Sequence, residues 1–341
     1  MTYRMPPEWA PHERTWMAWP GPNPTFTDDD ELAGARAAWA SVARAVRRFE
    51  PVTMVHGPGH ASSARELLGP DVELVERELD DAWMRDIGPT FVHDQEGRLA
   101  AVDWVFNGWG GQDWARWEHD AKIARQVADL AGVPVLGSPL VNEGGAIHVD
   151  GEGTVLLTDT VQLGAGRNPG WSREQVEAEI HARLGTTKAI WLPRGLAGDY
   201  GRYGTQGHVD IVAAFARPGV VVAHHQPDPA HPDHEVTQEV IGLLRSATDA
   251  RGRRLEVVEV PAPTVLEADG HWADYSYINH YLCNGGVVLC GFDDPRDEQA
   301  AGIFRRLFPE RTVTLVDART VFAGGGGIHC ITQQQPRATV R

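Results

Sequence analysis

One pattern recurs along the chain and constrains its fold more than any other feature. Two short apolar runs separated by a glycine-containing turn are followed by an amphipathic helical segment and a valine-rich run. The pattern returns about every 50 to 70 residues. The turns carry residues that favour hairpins, as in Asn284-Gly285-Gly286. Repeats of this length are typical of solenoids, propellers and other closed arrays.

Five copies of the pattern fit the chain. We predict hairpins that pair residues 90–92 with 99–102, 147–149 with 155–158, 209–215 with 220–224, and 277–282 with 287–290. A fifth strand, at 328–332, would pair with the N-terminal segment. Helices are predicted at 31–49, 117–131, 174–184, 235–249 and 298–308, followed by strands at 52–55, 133–136, 188–192, 255–260 and 313–316. Such a chain forms either five α/β units around an axis or an open α/β sheet, which has the same alternation.

The composition is typical of a globular protein. Hydrophobic residues make up 42% of the chain and charged residues 23%, which argues against disorder, collagen and coiled coil. Because no linker or low-complexity segment divides the chain, we predict a single domain over residues 1–341. No apolar run approaches the roughly 18 residues of a membrane span, and the N-terminal segment does not resemble a signal peptide.

The charge and the cysteines indicate partners and compartment. With 31 Lys and Arg against 47 Asp and Glu, the net charge of −16 repels phosphate backbones and favours a cationic ligand. We therefore expect no nucleic-acid partner. The three cysteines are too few for a disulfide framework in a chain of 341 residues, which favours the reducing cytoplasm.

Polar residues gather at one place in each repeat, at the start of the hairpin. If five units surround an axis, these places converge on it, and one cavity receives side chains from distant parts of the chain. The five segments are Trp83-Met84-Arg85-Asp86, Asn142-Glu143-Gly144-Gly145, Gly207-His208-Val209-Asp210, Tyr277-Ile278-Asn279, and Gly324-Gly325-Gly326-Gly327-Ile328-His329-Cys330.

Cys330 is the candidate nucleophile. Cysteines in strands are commonly small buried hydrophobes, and the apolar neighbours of Cys283 and Cys290 fit that description. Four glycines precede Cys330, so backbone amides can approach a ligand beside it. Because successive residues of a strand face opposite ways, we predict that His329 points away from Cys330 and does not serve as its base.

Two His-x-Asp pairs allow a different class of chemistry. His208 and Asp210 would share one face of a strand, as would His148 and Asp150, and both residue types bind zinc, manganese or iron. Asp150, however, lies in an Asp-Gly-Glu-Gly turn, where it would serve the hairpin. A metal-dependent hydrolase stays an alternative, but our primary prediction contains no metal and no cofactor.

Three carboxylates near one thiol predict a site for a guanidinium. Asp86, Glu143 and Asp210 are costly to bury without a cation, and a guanidinium presents a fork of N–H donors that matches carboxylates. Its carbon is a poor electrophile, so attack needs the thiolate of Cys330 and an acid that protonates the departing ammonia. His208 could act as that acid and then as the base that activates water. We expect the rate to change with pH between about 6 and 9 as this Cys-His pair titrates.

Tryptophans could line the same site. The chain has 12 of them, and Trp104 and Trp109 could form a wall or stack on a bound cation. Packing in the core is the alternative for most of the twelve.

Taken together, these residues resemble a known family. The chain is similar to the agmatine deiminase family, of bacterial peptidylarginine-deiminase type, within the guanidino-group-modifying (pentein) superfamily. The matching motifs are Met5-Pro6-Pro7-Glu8-Trp9, His12-Glu13-Arg14-Thr15-Trp16-Met17-Ala18-Trp19-Pro20, Arg85-Asp86 with Gly88-Pro89-Thr90, Glu143-Gly144-Gly145 with His148-Val149-Asp150-Gly151, Trp191-Leu192-Pro193-Arg194-Gly195, Gly207-His208-Val209-Asp210, and Gly326-Gly327-Ile328-His329-Cys330-Ile331-Thr332-Gln333-Gln334.

The resemblance implies a five-bladed α/β propeller with pseudo-fivefold symmetry that hydrolyses agmatine to N-carbamoylputrescine and ammonia without a cofactor. It implies that Cys330 is the nucleophile, that His208 is the general acid and base, and that Glu143 assists orientation and proton transfer. Asp86 and Asp210 would hold the guanidinium. We place Trp83 and Asp199 among the substrate-binding residues as well, and the resemblance also allows a homodimer.

Two segments depart from the family pattern. Gly198-Asp199 is followed by a longer stretch that contains Arg202, and Gly204 stands where the family has an aspartate. After Trp19-Pro20, the usual Arg- and Asp-containing segment is replaced by Gly21-Pro22-Asn23-Pro24. The guanidino substrate is therefore left open: arginine or a guanidino acid is an alternative to agmatine, and an amidinotransferase is an alternative to a deiminase.

Overall fold

The computed structural model describes residues 2–265, 267–268 and 270–339. These residues form five mixed sheets of three or four strands and one two-stranded hairpin. The strands are β1 (His12–Ala18), β2 (Val52–His56), β3 (Glu73–Glu76), β4 (Thr90–His93), β5 (Leu99–Val105), β6 (Val135–Val141), β7 (His148–Val149), β8 (Thr154–Thr158), β9 (Lys188–Leu192), β10 (Ala213–Arg217), β11 (Val220–His225), β12 (Glu256–Pro261), β13 (Glu267–Ala268), β14 (His271–Trp272), β15 (Tyr281–Cys283), β16 (Gly286–Gly291), β17 (Thr312–Asp317) and β18 (Gln333–Pro336).

Helices connect the strands and flank the junctions between sheets. The α-helices are α1 (Asp29–Arg47), α2 (Ala61–Leu68), α3 (Met84–Ile87), α4 (Gly108–Gly111), α5 (Ile123–Ala131), α6 (Asp159–Gln162), α7 (Arg173–Leu184), α8 (Asp233–Ser246), α9 (Asp297–Leu307) and α10 (Arg319–Ala323). Short 3₁₀ helices span Asp120–Lys122, Gly144–Ala146, Ala197–Tyr200 and Val209–Ile211. Within the described ranges, no helix is long and apolar enough to cross a membrane.

The five sheets share one plan. In each of four sheets an antiparallel hairpin is followed by a crossover helix and a third strand parallel to the second, in the orders β4-β5-β6, β7-β8-β9, β10-β11-β12 and β15-β16-β17. In the remaining sheet the antiparallel pair is β18 with β1, and β2 and β3 add in parallel. Pairing of the last strand with the first closes the array.

This architecture confirms the predicted α/β class, and five equivalent units are what a five-bladed α/β propeller with pseudo-fivefold symmetry requires. All five predicted crossover helices and the strands after them are present, and β9 has its predicted bounds. The prediction of one domain over residues 1–341 stays a prediction. Four predicted elements begin four or more residues too early. The predicted helix at 117–131 begins only at Ile123, the strand at 209–215 begins at Ala213, and the strand at 277–282 begins at Tyr281. The predicted strand at 328–332 is a turn, with β18 starting at Gln333.

Amphipathic helices hold the sheets together. In α1 the buried residues Leu32, Ala35, Trp39, Val42 and Val46 follow a spacing of three and four, which places them on one face. The helix starts where the Asp28 carboxylate accepts hydrogen bonds from two backbone amides of the first turn. The apolar face packs into a core formed by several of the sheets.

Candidate active site

The candidate residues all occupy equivalent places in the repeat. Each lies in the segment that precedes the first strand of an antiparallel pair, namely β4, β7, β10, β15 or β18. We call these five segments the junctions. The segments carry, in that order, Asp86, Glu143, His208 with Asp210, Asn279, and Cys330. Hydrogen bonds and ion pairs connect these side chains. The predicted convergence of the junctions therefore takes place.

The local structure of these junctions differs from the prediction. His208 and Asp210 do not share a strand face, because Val209–Ile211 is a 3₁₀ helix with about three residues per turn. Asp86 lies in the four-residue helix α3, and Glu143 directly precedes a 3₁₀ turn. Cys330 lies in a turn before β18, so the alternation argument for His329 does not apply.

Cys330 is buried among polar partners. Its Sγ accepts a hydrogen bond from the Asn279 side-chain amide at 3.2 Å and lies 3.6 Å from Oδ2 of Asp210. Burial raises the pKa of the Cys330 thiol well above its usual value, and the charges of Asp210 and Asp86 raise it further. Without a ligand the residue is therefore a thiol at neutral pH, and a cation beside it would favour the thiolate.

His208 lies among three carboxylates. Its Nε2 is 3.3 Å from Oε2 of Glu143, and its Nδ1 is 3.9 Å from Oδ2 of Asp86 and has no hydrogen-bond partner among the described residues. Burial by itself would lower the pKa of His208, but Asp86, Glu143 and Asp210 outweigh it and raise the pKa to about 9. The ring is therefore protonated at neutral pH and can donate a proton.

Asp86 and Asp210 leave acceptor capacity for a ligand. Asp86 accepts hydrogen bonds from the Trp109 indole at 2.8 Å and from the Gly145 amide at 3.0 Å, both neutral donors. Burial raises the pKa of Asp86. Oδ2 of Asp210 is bonded to His329, whereas its buried Oδ1 has no hydrogen-bond partner in the part of the chain that the structure describes. Burial would raise the pKa of Asp210, but His329 outweighs it and the pKa is lowered.

Glu143 has a cation of its own. Nε of Arg167 lies 2.9 and 3.1 Å from its two oxygens, and Nη2 of Arg167 donates to the Thr205 carbonyl at 2.7 Å. Although burial would raise the pKa of Glu143, Arg167 and His208 lower it. Glu143 is thus an ionised partner of His208, and the charge of an incoming cation is left to Asp86 and Asp210.

A narrow cavity of about 10 Å³, room for roughly one water molecule, lies beside the thiol. No lysine or arginine is among the described residues that line it, and four of its walls are aromatic. The lining residues are Trp83, Asp86, Trp109, Trp114, Tyr203, Thr205, Gly325 and Cys330. Trp104 lies elsewhere, with its indole bonded to Thr90 at 2.9 Å. The predicted aromatic wall is therefore formed by Trp109 and not by Trp104.

The two segments that depart from the family pattern meet over this cavity. Tyr203 donates a hydrogen bond to the Pro24 carbonyl at 2.8 Å and packs edge-on against Trp114 at 5.0 Å. Its φ of 67° lies in the left-handed region, which a tyrosine seldom adopts. The cover over the cavity thus contains residues of both segments.

Asp199 supports this cover from below. Its carboxylate accepts hydrogen bonds from the Thr205 amide and hydroxyl and from the Gly207 and His208 amides. These bonds fix the backbone that leads to His208. Asp199 is not among the residues that line the cavity, whereas Trp83 is, and the role of both in substrate binding stays a prediction.

The second His-x-Asp pair serves the fold. Asp150 accepts hydrogen bonds from the Glu152 and Thr154 amides, as expected for the hairpin turn. His148 accepts from the Phe215 amide at 3.2 Å. Within the part of the chain that the structure describes, no group of three His, Cys, Asp or Glu side chains is arranged to hold a metal ion.

Sequence analysis assigned no role to three residues of this site. Asn279 lies in the fourth of the five segments predicted to converge, but its contact with the thiol was not predicted. Glu8, which lies behind the site, belongs to a motif with no assigned role. Arg167 gave no signal, because it lies in the connection between α6 and α7, outside the junctions.

Gly145 tests how tightly these groups are packed. A methyl group added there would lie 2.6 Å from Nδ1 of His208, 2.9 Å from Oδ2 of Asp210 and 3.0 Å from Oδ1 of Asp86. Gly145→Ala should therefore lower kcat/KM on the order of 10²-fold through displacement of these groups. The control is Gly242→Ala in α8, where an added methyl meets nothing within 4 Å. Equal activity of both variants in a steady-state assay would contradict the packing described.

The chain is similar to known proteins over nearly its whole length, which includes the site. The family model of Porphyromonas-type peptidyl-arginine deiminases matches residues 4–336. A Streptomyces coelicolor protein named "Putative agmatine deiminase" is 86% identical over 99% of this chain and 100% of its own length. The "Agmatine deiminase" of Stutzerimonas stutzeri is 42% identical over 99% and 97%, respectively. The solved agmatine deiminase of Enterococcus faecalis superposes with a TM-score of 0.93 at 33% identity, over 99% of this chain and 97% of its own. The chain therefore belongs to the Porphyromonas-type peptidyl-arginine deiminase family.

Proposed function

We propose that this protein is a cysteine-dependent deiminase that hydrolyses the guanidinium of agmatine to N-carbamoylputrescine and ammonia. One observation carries the proposal: a thiol and a carboxylate line one narrow cavity, and a second carboxylate and a protonated histidine lie next to them. Both carboxylates keep acceptor capacity for a ligand. The names of the relatives support the hydrolysis of a C–N bond in a linear amidine.

The carboxylates supply both binding and activation. A guanidinium donates hydrogen bonds from all its nitrogens, so it can satisfy the free Oδ1 of Asp210 and the remaining acceptor sites of Asp86. Its positive charge opposes the effect of these carboxylates on the thiol and thereby lowers the pKa of Cys330. Substrate binding and thiolate formation are thus coupled, and the proton of the thiol passes to solvent.

The first half-reaction forms the covalent intermediate. The Cys330 thiolate attacks the guanidinium carbon, and a C–S bond forms. Protonated His208 gives its proton to one nitrogen of the tetrahedral adduct, the C–N bond breaks, and ammonia leaves. The product bound to Cys330 is a cationic amidino thioether. Glu143 keeps His208 oriented through its contact with Nε2.

The second half-reaction uses the neutral imidazole as a base. His208 takes a proton from water, and the hydroxide adds to the carbon of the amidino thioether. The C–S bond then breaks and the Cys330 thiolate departs, while the hydroxyl proton passes to solvent and leaves the ureido group of N-carbamoylputrescine. The histidine is again protonated and ready for the next turnover.

The walls of the cavity favour a tail that is not anionic. The side chains beyond the guanidinium site include Trp114 and Tyr203, whose aromatic surfaces suit an alkyl chain. One face of the Tyr203 ring already carries the guanidinium of Arg202, 4.7 Å from the ring centroid, and Arg202 is not among the described residues that line the cavity. The α-carboxylate of arginine would have no cation among the described residues that line the cavity. An unpaired buried carboxylate is costly, so arginine should bind poorly.

A substrate series tests the function and this preference. Agmatine should give a kcat/KM at least about 10²-fold above that of arginine, because burial of one unpaired charge costs about 3–5 kcal/mol. Butylguanidine, which lacks the terminal amine, should fall between the two. Preference for arginine or 4-guanidinobutyrate would overturn the assignment of agmatine, and release of product only in the presence of an amine acceptor would indicate an amidinotransferase.

A further inference from the structure

A buried chain of charged groups extends behind Asp210. Nδ1 of His329 lies 2.7 Å from Oδ2 of Asp210, and Nε2 of the same ring lies 2.7 Å from Oε1 of Glu8. All three residues are almost fully buried, with 2 to 4% of their surface exposed. The catalytic steps proposed above do not use His329 or Glu8.

The two short contacts define the protonation of His329. A neutral imidazole has one N–H and can donate to only one carboxylate, whereas an imidazolium donates to both. Burial and the nearby Arg85 would lower the pKa of His329, but Glu8 and Asp210 outweigh them and raise it. The ring is therefore an imidazolium between two carboxylates.

The groups around Glu8 keep this arrangement in place. Nη1 of Arg85 and Nε2 of His148 each lie 3.6 Å from an oxygen of Glu8. Burial would raise the pKa of Glu8, but His329, His148 and Arg85 lower it well below its usual value. His280, which also faces this cluster, has a pKa lowered to about 4 by burial and is neutral. Glu8 is thus a fixed anion that anchors His329.

The chain determines how Asp210 can meet a ligand. With Oδ2 held by His329, the carboxylate cannot rotate freely, and Oδ1 is the oxygen that no described residue contacts by a hydrogen bond. Without His329, Asp210 would lose the partner that keeps it ionised, and burial would raise its pKa. A protonated or rotated Asp210 would hold a guanidinium poorly.

We propose that His329, anchored by Glu8, is a positioning residue that keeps Asp210 ionised and directs its Oδ1 toward the guanidinium of the substrate. The inference rests on the proposed function and adds two residues to it. It also gives a role to the N-terminal motif Met5-Pro6-Pro7-Glu8-Trp9, since Glu8 comes from a segment distant in sequence from every junction residue.

Steady-state kinetics of His329→Asn test the proposal. We expect KM for agmatine to rise more than kcat falls, with a loss in kcat/KM on the order of 10²-fold. The acidic limb of the kcat/KM profile should move to higher pH, because Asp210 then takes up a proton more easily. Glu8→Gln, which keeps an oxygen acceptor for His329, should raise KM and shift the acidic limb in the same direction but less than His329→Asn does. Glu8→Ala, which removes the acceptor, should have a larger effect than Glu8→Gln.

A matched control separates positioning from stability. His56 is also buried, but its ring bonds only the Gly57 carbonyl, and it lies in β2. His56→Asn should leave the acidic limb and KM unchanged even if it lowers the melting temperature. A folded His329→Asn protein with the wild-type acidic limb and KM would overturn the proposal.

A second measurement does not depend on turnover. Chloroacetamidine is cationic and chloroacetamide is neutral, while both alkylate a thiol with loss of chloride. The rate of alkylation of Cys330 by chloroacetamidine, divided by the rate with chloroacetamide, reports how well the carboxylates hold a cation. Mass spectrometry measures both rates. In His329→Asn and Glu8→Ala the ratio should fall by about 10-fold or more, and an unchanged ratio would overturn the proposal. Wild-type protein that does not hydrolyse agmatine would overturn the proposed function alone, since this ratio would still test the positioning role.

Discussion

Replacement of Cys330 by serine should reduce kcat for agmatine on the order of 10⁴-fold or more, the range expected when a covalent nucleophile is lost. A serine hydroxyl ionises far less readily than a thiol, and the buried carboxylates that already raise the pKa of the Cys330 thiol would oppose an alkoxide still more. Ammonia release from the purified variant measures the effect. Agmatine should still bind, because Asp86 and Asp210 are unchanged.

The other cysteines provide the control. Cys283 lies in β15, away from the cavity, and burial raises the pKa of its thiol strongly. Cys283→Ala should therefore keep kcat within about threefold of wild type despite some loss of stability. Rapid acid quench of wild-type protein with agmatine should also trap, on the peptide that contains Cys330, the mass of agmatine less ammonia, which is an amidino group that still carries the aminobutyl tail. Near-normal turnover by Cys330→Ser would remove the covalent mechanism.

Much of the architecture could be predicted because each unit satisfies local rules. The hairpin turns require glycine or polar residues, the crossover helices show a 3.6-residue period, and the third strands are apolar runs such as Lys188–Leu192. The strand predicted at 328–332 was wrong because its apolar residues pack in a turn and not in a sheet. An apolar run alone does not distinguish the two environments.

The site could be predicted in outline but not in its contacts. Asp86, His208 and Cys330 were placed together because they hold equivalent positions in successive repeats. The predictions of which side chains share a strand face were wrong, because the junctions are short helices and turns, in which side chains do not alternate with a period of two. Arg167 contacts Glu143 from the connection between α6 and α7. No repeated position or motif in the sequence marks this residue, so the contact is seen only in the three-dimensional structure.

The buried charges at the site and behind it lead us to expect that the Cys330 thiolate forms only beside a bound cation. Four carboxylates face four cationic groups; these are Glu8, Asp86, Glu143 and Asp210, and Arg85, Arg167, His208 and His329. A thiolate would add an unbalanced negative charge to this set. A bound guanidinium supplies the balancing positive charge, so the thiolate should form only with substrate present.

Loss of His208 should change both the rate and its pH dependence. His208→Asn should lower kcat by about 10²- to 10⁴-fold, the usual contribution of general acid and base catalysis. In the wild type the pKa of His208 is raised to about 9, so the proton donor is present at neutral pH and is lost as the pH rises through about 9. The rate should therefore fall above that pH, and this basic limb should be absent in the variant.

A buried histidine outside the site tests whether this limb belongs to His208. His224 is buried and contacts the Ser276 hydroxyl at 3.1 Å, and burial lowers its pKa to about 3. It is already neutral across the working range, so His224→Asn should keep the wild-type basic limb. If His208→Asn showed the same limb near pH 9, the proton donor would be another group. The leaving ammonia would then have to receive its proton from solvent or from a carboxylic acid at Asp86, whose pKa is raised by burial.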